Sequence, residues 1–307
     1  MRLSKILSAL LLAAFVGYAY ISLVHVPQLV TASNRIDLVE RPSDVGLDYE
    51  EFQINPAQEN LNLNGWWMPA SNPQAVLVFI HGAGSGRHST FFSSLDFYAK
   101  MVENHISVVA IDLRNHGTSD GDEHGLQYGR TESADAMAAI NWARQHNPGM
   151  PVFAMGISMG GATIIHAAGK GAPLDGLILL DPLLDTHSAV RRGATVETPL
   201  PAWFFGPAAW AATTFHGLPS GEQQALSIAK SLSLPILLIQ DPDDPVTIIK
   251  YADELAEANP QVTYWVAPPV DLSHPDLAWK GAWGSHVAAF HMFPDETTQR
   301  VVAFIDR

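Results

Sequence analysis

The chain has 307 residues, 47% of them hydrophobic and 16% charged, which is ample apolar material for a core and excludes a disordered or low-complexity polypeptide. Its 31 acidic residues outnumber 17 basic ones for a net charge of −14, and no basic run exceeds Arg191-Arg192; a nucleic-acid partner, which needs clustered Lys and Arg, is not expected. Cysteine is absent, so disulfide scaffolds, thiolate metal sites and a cysteine nucleophile are excluded.

Arg2 and Lys5 stand ahead of an uncharged run over residues 6–24. As a helix rising ~1.5 Å per residue, such a run reaches across a hydrocarbon layer of ~30 Å. It has no polar face, which argues against a core helix of a soluble domain. The basic residues place its start in the cytoplasm. Residues 1–25 are expected to form an uncleaved signal anchor, with the rest of the chain exported to the cell envelope. Cleavage within 17–33, giving a secreted protein, is the alternative. Residues 26–48, with Pro27, Pro42 and Gly46, read as a linker and lead-in segment.

Strand-like runs follow. Residues 49–54 and 61–67 predict an antiparallel hairpin across the polar stretch 55–60. AVLVFI at 75–80 and ISVVAI at 106–111 are continuous apolar runs, the pattern of strands buried on both faces. Over 131–145, Ala136, Met137, Ile140 and Ala143 recur with a helical period. Strands are then predicted at 151–155, 174–180, 235–240 and 262–266, and helices at 160–168, 248–259 and 296–305. Strands alternating with helices imply a mostly parallel sheet with helices on both faces. Residues 182–231 break that rhythm and hold Trp203, Phe204, Phe205 and Trp210. A structureless loop of that length is improbable in a compact domain, so an inserted cap or lid is expected.

Gly156-Ile157-Ser158-Met159-Gly160-Gly161 lies between a strand and a helix. G-x-S-x-G in that context is a nucleophile elbow, which lifts the serine hydroxyl to the start of a helix where free N–H groups favour negative charge. At this point the chain, over about 49–307, resembles the α/β-hydrolase superfamily, with monoacylglycerol-lipase-like and serine-aminopeptidase-like hydrolases as the nearest look. The resemblance rests also on His81-Gly82-Ala83-Gly84 after the strand at 75–80, on the run DLRNHGTSDG from Asp112 to Gly121, and on the PSDVGLDYEEF and GWWMP segments. It implies an α/β-hydrolase fold of about eight strands, with the cap of 182–231 between strands 6 and 7. It also implies an oxyanion hole formed by the backbone N–H groups of Met159 and Ala83.

A serine nucleophile then needs an acid and a base in the order Ser, Asp, His. For the acid, Asp241, Asp243 and Asp244 follow the strand at 235–240, and the family's turn pattern with Pro245-Val246 points to Asp244. Three acids so close would repel, so a cation or hydrogen bonds must help to hold the turn. For the base, His274, His286 and His291 all follow the last strand. The small-residue turn Gly284-Ser285-His286 favours His286. His274 stays open because the loop 267–283 is longer than the family's connection.

The expected activity is hydrolysis of carboxylic esters of acyl or aryl substrates through an acyl-enzyme on Ser158, with Trp203, Phe204, Phe205 and Trp210 lining the acyl pocket. Gluing the cap to the body is the alternative role for those aromatics. Amide or peptide cleavage, acyl transfer, and a non-catalytic binding module are the alternative functions; Glu197 and Glu222 are the only acids between 190 and 231 to hold a substrate amine. No cofactor or metal is expected, since H-E-x-x-H is absent. The expected partners are a small-molecule acyl substrate and, through the N-terminal segment, a membrane.

Overall fold

The structure, a computed structural model, describes residues 2–33, 35, 38–57 and 59–307. Helix α1 (Arg2–Tyr20) runs through a widened turn, Ile21–His25, into α2 (Val26–Val30). The helix therefore continues past the expected linker boundary at residue 26. Pro27 has no N–H and its ring crowds the carbonyl four residues back, at Leu23, and the wide turn opens the backbone at that point. Lys5–Val30, 26 residues, is long and apolar enough to cross a membrane.

The body is built on eight strands: β1 (Glu50–Ile54), β2 (Leu63–Met68), β3 (Ala75–Ile80), β4 (Ile106–Ile111), β5 (Val152–Ile157), β6 (Gly176–Leu180), β7 (Ile236–Gln240) and β8 (Val262–Val266). They form one sheet in the order β1-β2-β4-β3-β5-β6-β7-β8. β1 pairs with β2 and β2 with β4 antiparallel, and every other pairing is parallel. This is the α/β-hydrolase fold that the resemblance implies.

The central strands are buried on both sides, and their side chains alternate between two cores. Val76, Val78 and Ile80 of β3 join one cluster, which α4 (Ser133–His146) and α5 (Met159–Gly169) cover through Ala136, Ile140, Ala162 and Ile165. Ala75, Leu77 and Phe79 join the other, closed by α3 (Ser94–Glu103) and a C-terminal helix through Phe97, Tyr98, Val301 and Phe304.

Between β6 and β7 the chain forms a cap of three helices, α6 (Thr186–Val196), α7 (Gly206–Phe215) and α8 (Ala225–Lys230). Asp185 starts α6 by accepting a hydrogen bond from the Ser188 N–H at 2.7 Å. After β7 come α9 (Ile249–Ala258), two short helices, α10 (Pro275–Ala278) and α11 (Ala289–Met292), and the closing α12 (Pro294–Ile305).

Candidate active site

β5 delivers Ser158 and α5 begins at the next residue. Ser158 has φ 51° and ψ −119°, a backbone conformation that side-chain-bearing residues rarely adopt. Two glycines make room for the turn. A Cβ on Gly156 would stand 2.3 Å from the Gly160 carbonyl oxygen, and one on Gly160 would stand 2.2 Å from that of Ile80. Strand, turn and helix are thus packed backbone against backbone, and the serine projects from the carboxyl end of the sheet.

His286 and Asp244 arrive on two other loops at the same edge. His286 Nε2 lies 3.0 Å from Ser158 Oγ, and His286 Nδ1 lies 2.6 Å from Asp244 Oδ2. A carboxylate can only accept, so Nδ1–H donates to Asp244 and the Nε2 lone pair is left to accept from the serine hydroxyl. Asp244 is itself fixed from three sides. Its Oδ1 accepts from the N–H groups of Val246 and Thr247 at 2.7 and 2.8 Å, and its Oδ2 accepts from Thr247 Oγ1 at 2.7 Å.

The other candidates stand apart from this arrangement. Asp241 Oδ1 accepts from the Asp243 N–H at 2.7 Å, and burial raises its carboxyl to about 6. His274 is half-exposed and caps α10, its ring accepting from the Asp276 N–H at 3.3 Å. His291 Nδ1 pairs with Ser93 Oγ at 2.7 Å. His81 bridges two loops instead: its Nδ1–H donates to the Gly82 carbonyl at 2.7 Å and its Nε2 accepts from the Leu113 N–H at 3.0 Å. Burial takes the His81 ring down to about 4, which keeps it neutral.

Two residues that sequence reasoning did not single out hold these loops together. Asp181, at the end of β6, accepts from the Asp241 N–H at 2.7 Å and from the Val287 N–H at 2.9 Å. It joins the loop carrying Asp244 to the loop carrying His286. Burial, then the nearby Asp244 and Asp241, hold its carboxyl well above the ordinary range. Ligand atoms of Asp181, Asp244 and His286 lie within 4.8 Å of one another, a spacing that a metal would accept, but the N–H and O–H donors just named already engage them. Lys280 is 4% exposed. Its ammonium donates to the His286 carbonyl at 3.2 Å and sits 4.0 Å over the Phe91 ring. Burial lowers it to about 8, against the pull of Asp181, Asp244 and Asp241. It is a cation beside the acid cluster, and it comes from the long 267–283 loop.

Ser158 and His286 open into a cavity of about 530 Å³. Phe91, Ile157, Leu183, Val246, Trp279 and Trp283 give it an apolar wall, and among the described residues none that lines it carries a carboxylate. Ala83 lines it too, and the loop before Ala83 presses against the serine: a Cβ on Gly82 would stand 3.2 Å from Ser158 Cβ. Met159 opens α5, where the first N–H groups have no partner within the helix. The cap contributes Ala189 and Gly193 of α6 to the wall. The four aromatics predicted for the acyl pocket are not among its lining residues. Phe205 is buried with Val26, Ala194 and Ala208, Phe204 packs on Tyr18, and Trp203 and Trp210 are 71% and 50% exposed. They join the cap to the N-terminal helix or face outward because α7 turns its small residues, Ala208, Ala209, Ala211 and Ala212, inward.

A family model described as serine aminopeptidase, S33, matches residues 71–212, a stretch that includes Ser158 and ends before Asp244 and His286. Monoglyceride lipase of Rattus norvegicus is 32% identical over 120 residues, 39% of this chain and 38% of that one. Lysophosphatidylserine lipase ABHD12 of Danio rerio is 24% identical over 250 residues, 72% of this chain and 61% of that one. The chain thus spans less than two thirds of the length of these curated relatives. Among solved structures, the Pyrococcus furiosus esterase PF2001 superposes with a TM-score of 0.72 at 23% identity, over 90% of this chain and 97% of that one. With the strand order, the elbow at Ser158 and the structural likeness agreeing, the chain has the α/β-hydrolase fold, and residues 71–212 resemble the serine aminopeptidase, S33, family.

Proposed function

We propose that this protein is a serine hydrolase that cleaves carboxylic esters with an apolar acyl group. The observation that carries the reading is the chain of contacts from Ser158 Oγ to His286 Nε2 at 3.0 Å and from His286 Nδ1 to Asp244 Oδ2 at 2.6 Å, set in an apolar cavity. Ser158 Oγ attacks the acyl carbonyl carbon while His286 Nε2 takes its proton. Asp244 orients the imidazole and stabilises its charged form. The oxygen that becomes negative is met by the N–H groups of Met159 and Ala83. His286 returns the proton to the departing alcohol, and water then releases the acid from Ser158 by the same steps. The similarity to monoglyceride lipase, to a lysophosphatidylserine lipase and to esterases supports ester chemistry. The lack of a carboxylate among the described residues that line the cavity supports it over aminopeptidase action, which needs an acid to hold the substrate's free amine. The N-terminal helix anchors the enzyme in a membrane, with the catalytic domain exported.

A fluorophosphonate probe tests the nucleophile: wild type is labelled and Ser158→Ala is not. A panel of p-nitrophenyl esters and aminoacyl anilides tests the bond, with turnover expected on the esters. Labelling that persists in folded Ser158→Ala, or preference for the anilides, would falsify this reading.

A further inference from the structure

The N-terminal helix does not stand clear of the body. From Tyr18 onward one stripe of it, Tyr18, Ser22, Val26 and Val30, lies against the cap. Tyr18 Oη donates to the Phe204 carbonyl at 2.9 Å and the two rings meet edge to face at 4.7 Å. Ser22 and Val26 are 1% and 6% exposed. Only residues 5–17 are exposed throughout, and as a helix they extend about 20 Å. A hydrocarbon layer of about 30 Å takes roughly 20 residues. Counted from Lys5, the layer extends to about residue 25, alongside the part of the helix already packed on the cap.

The cap surface at that level suits the position. Residues 198–221 contain no Asp, Glu, Lys or Arg, although the chain as a whole carries −14. Trp203, Trp210, Phe215 and Leu200 are 71%, 50%, 65% and 39% exposed. Trp203 adjoins Phe204, which touches the helix, and Trp210 packs edge to face on Phe215 at 5.3 Å. Large aromatics on an uncharged surface beside a membrane helix are the composition of the membrane–water boundary.

We propose that this face of the cap is seated in the leaflet of the bilayer that lies nearest the catalytic domain, so that the enzyme rests on the membrane through the cap as well as crossing it through the helix. The proposal rests on the reading of residues 5–30 as a membrane helix. Since α6 lines the cavity and α7 packs on α6, the cap that walls the acyl cavity with one helix meets lipid with the next. The substrate class that follows is an amphiphile dissolved in the membrane.

The chain has no native cysteine, so single cysteines can carry a nitroxide. Spin labels are placed at Thr214→Cys, one turn beyond Trp210, at Leu10→Cys in the free helix, and at Glu103→Cys on the exposed end of α3. The full chain is reconstituted in phosphatidylcholine vesicles, and collision with oxygen is compared with collision with a water-soluble nickel chelate. Labels at 214 and 10 are expected to be protected from the chelate by about fivefold or more relative to 103. If position 10 is protected and 214 matches 103, the helix is a membrane anchor and the cap proposal is overturned. If 10 and 214 both match 103, the anchor reading fails and the proposal falls with it.

Discussion

Ser158, Asp181 and Val287 each hold a positive φ, at 51°, 44° and 49°, and the three sit within one hydrogen-bonded neighbourhood. Backbone in that region costs about 1–3 kcal/mol per residue and persists where the surroundings over-determine it. Here the surroundings are Asp181 on the N–H groups of Val287 and Asp241, and the Leu180 carbonyl accepting from the Ser158 N–H at 3.1 Å. The strain aims the serine and the histidine at each other. Asp244→Asn cannot accept from Nδ1–H through its amide nitrogen and is expected to lower kcat by roughly 10³–10⁴-fold, because the imidazole is then held in the wrong tautomer. His274→Ala, on an exposed cap of α10, is expected to change kcat less than about twofold. Steady-state kinetics on one ester compare the two, and an exchange of their ranks would transfer the base to the 267–283 loop.

Lys280 supplies a pH signature at the same scale. Burial lowers its ammonium to about 8. Below that pH the lysine is protonated whether the chain is folded or not. Between about 8 and the ordinary value of about 10.4 the unfolded chain holds a proton that the folded one has released, so this group makes stability rise with pH across that window. Lys280→Met lacks the rise. The difference in unfolding free energy, wild type minus variant, is expected to grow by on the order of 2 kcal/mol between pH 8 and 10, and denaturant titrations of both proteins at the two pH values measure it. A constant difference would contradict the assignment of a released proton to Lys280.

Among the elements, the strands were the most legible. AVLVFI and ISVVAI are apolar at every position because both faces of β3 and β4 are buried, and composition alone reports that. The elbow was legible because the glycines around Ser158 answer a steric demand that few other turns make. Helix α3 was not anticipated: Leu95, Phe97, Tyr98 and Met101 are its buried apolar residues, but Asp96 and Lys100 interrupt them. Asp181 was illegible for another reason. Nothing in one aspartate at a strand end tells that two backbone N–H groups from distant loops will converge on it. The four aromatics of 182–231 pointed to the wrong cavity wall, because bulk in a cap segment does not say which side it faces.

The α6 wall instead presents its smallest residues. A Cβ on Gly193 would meet nothing within 4 Å, although glycine inside a helix is about 1 kcal/mol less favourable than alanine. Gly193→Ala is therefore expected to stabilise the protein by roughly 0.5–1 kcal/mol. Gly193→Leu fills part of the cavity, and on a series of p-nitrophenyl esters it is expected to depress kcat/KM for long acyl chains by about tenfold more than for acetate. A uniform loss across the series would place residue 193 outside the acyl path.

For the whole molecule, the helix has two separable halves. Residues 5–17 are exposed, whereas Tyr18 packs on Phe204, Ser22 is buried, and Val26 packs with Phe205, Ala194 and Ala208 of the cap. Deletion of 1–17 is expected to move the protein out of the membrane fraction while leaving its melting temperature within about 2 °C of the detergent-solubilised full chain. Deletion of 1–30 strips the cap of that cover and is expected to lower the melting temperature by several degrees more. Fractionation and calorimetry of both truncations decide it, and equal melting temperatures would show that the docked half contributes nothing to the fold.

The contact between Tyr18 and Phe204 joins positions 186 residues apart. Synthesis starts at the N-terminus, so the docking stripe of the helix is made long before the surface that covers it. Sheet strands β1 to β6 all emerge in the interval. When residues 198–221 finally appear, they meet a helix already complete. The order of synthesis then turns the first segment into a template: the cap is captured on the helix, and the rest of the cavity wall, with Val246, Trp279, Trp283 and His286, arrives only after it.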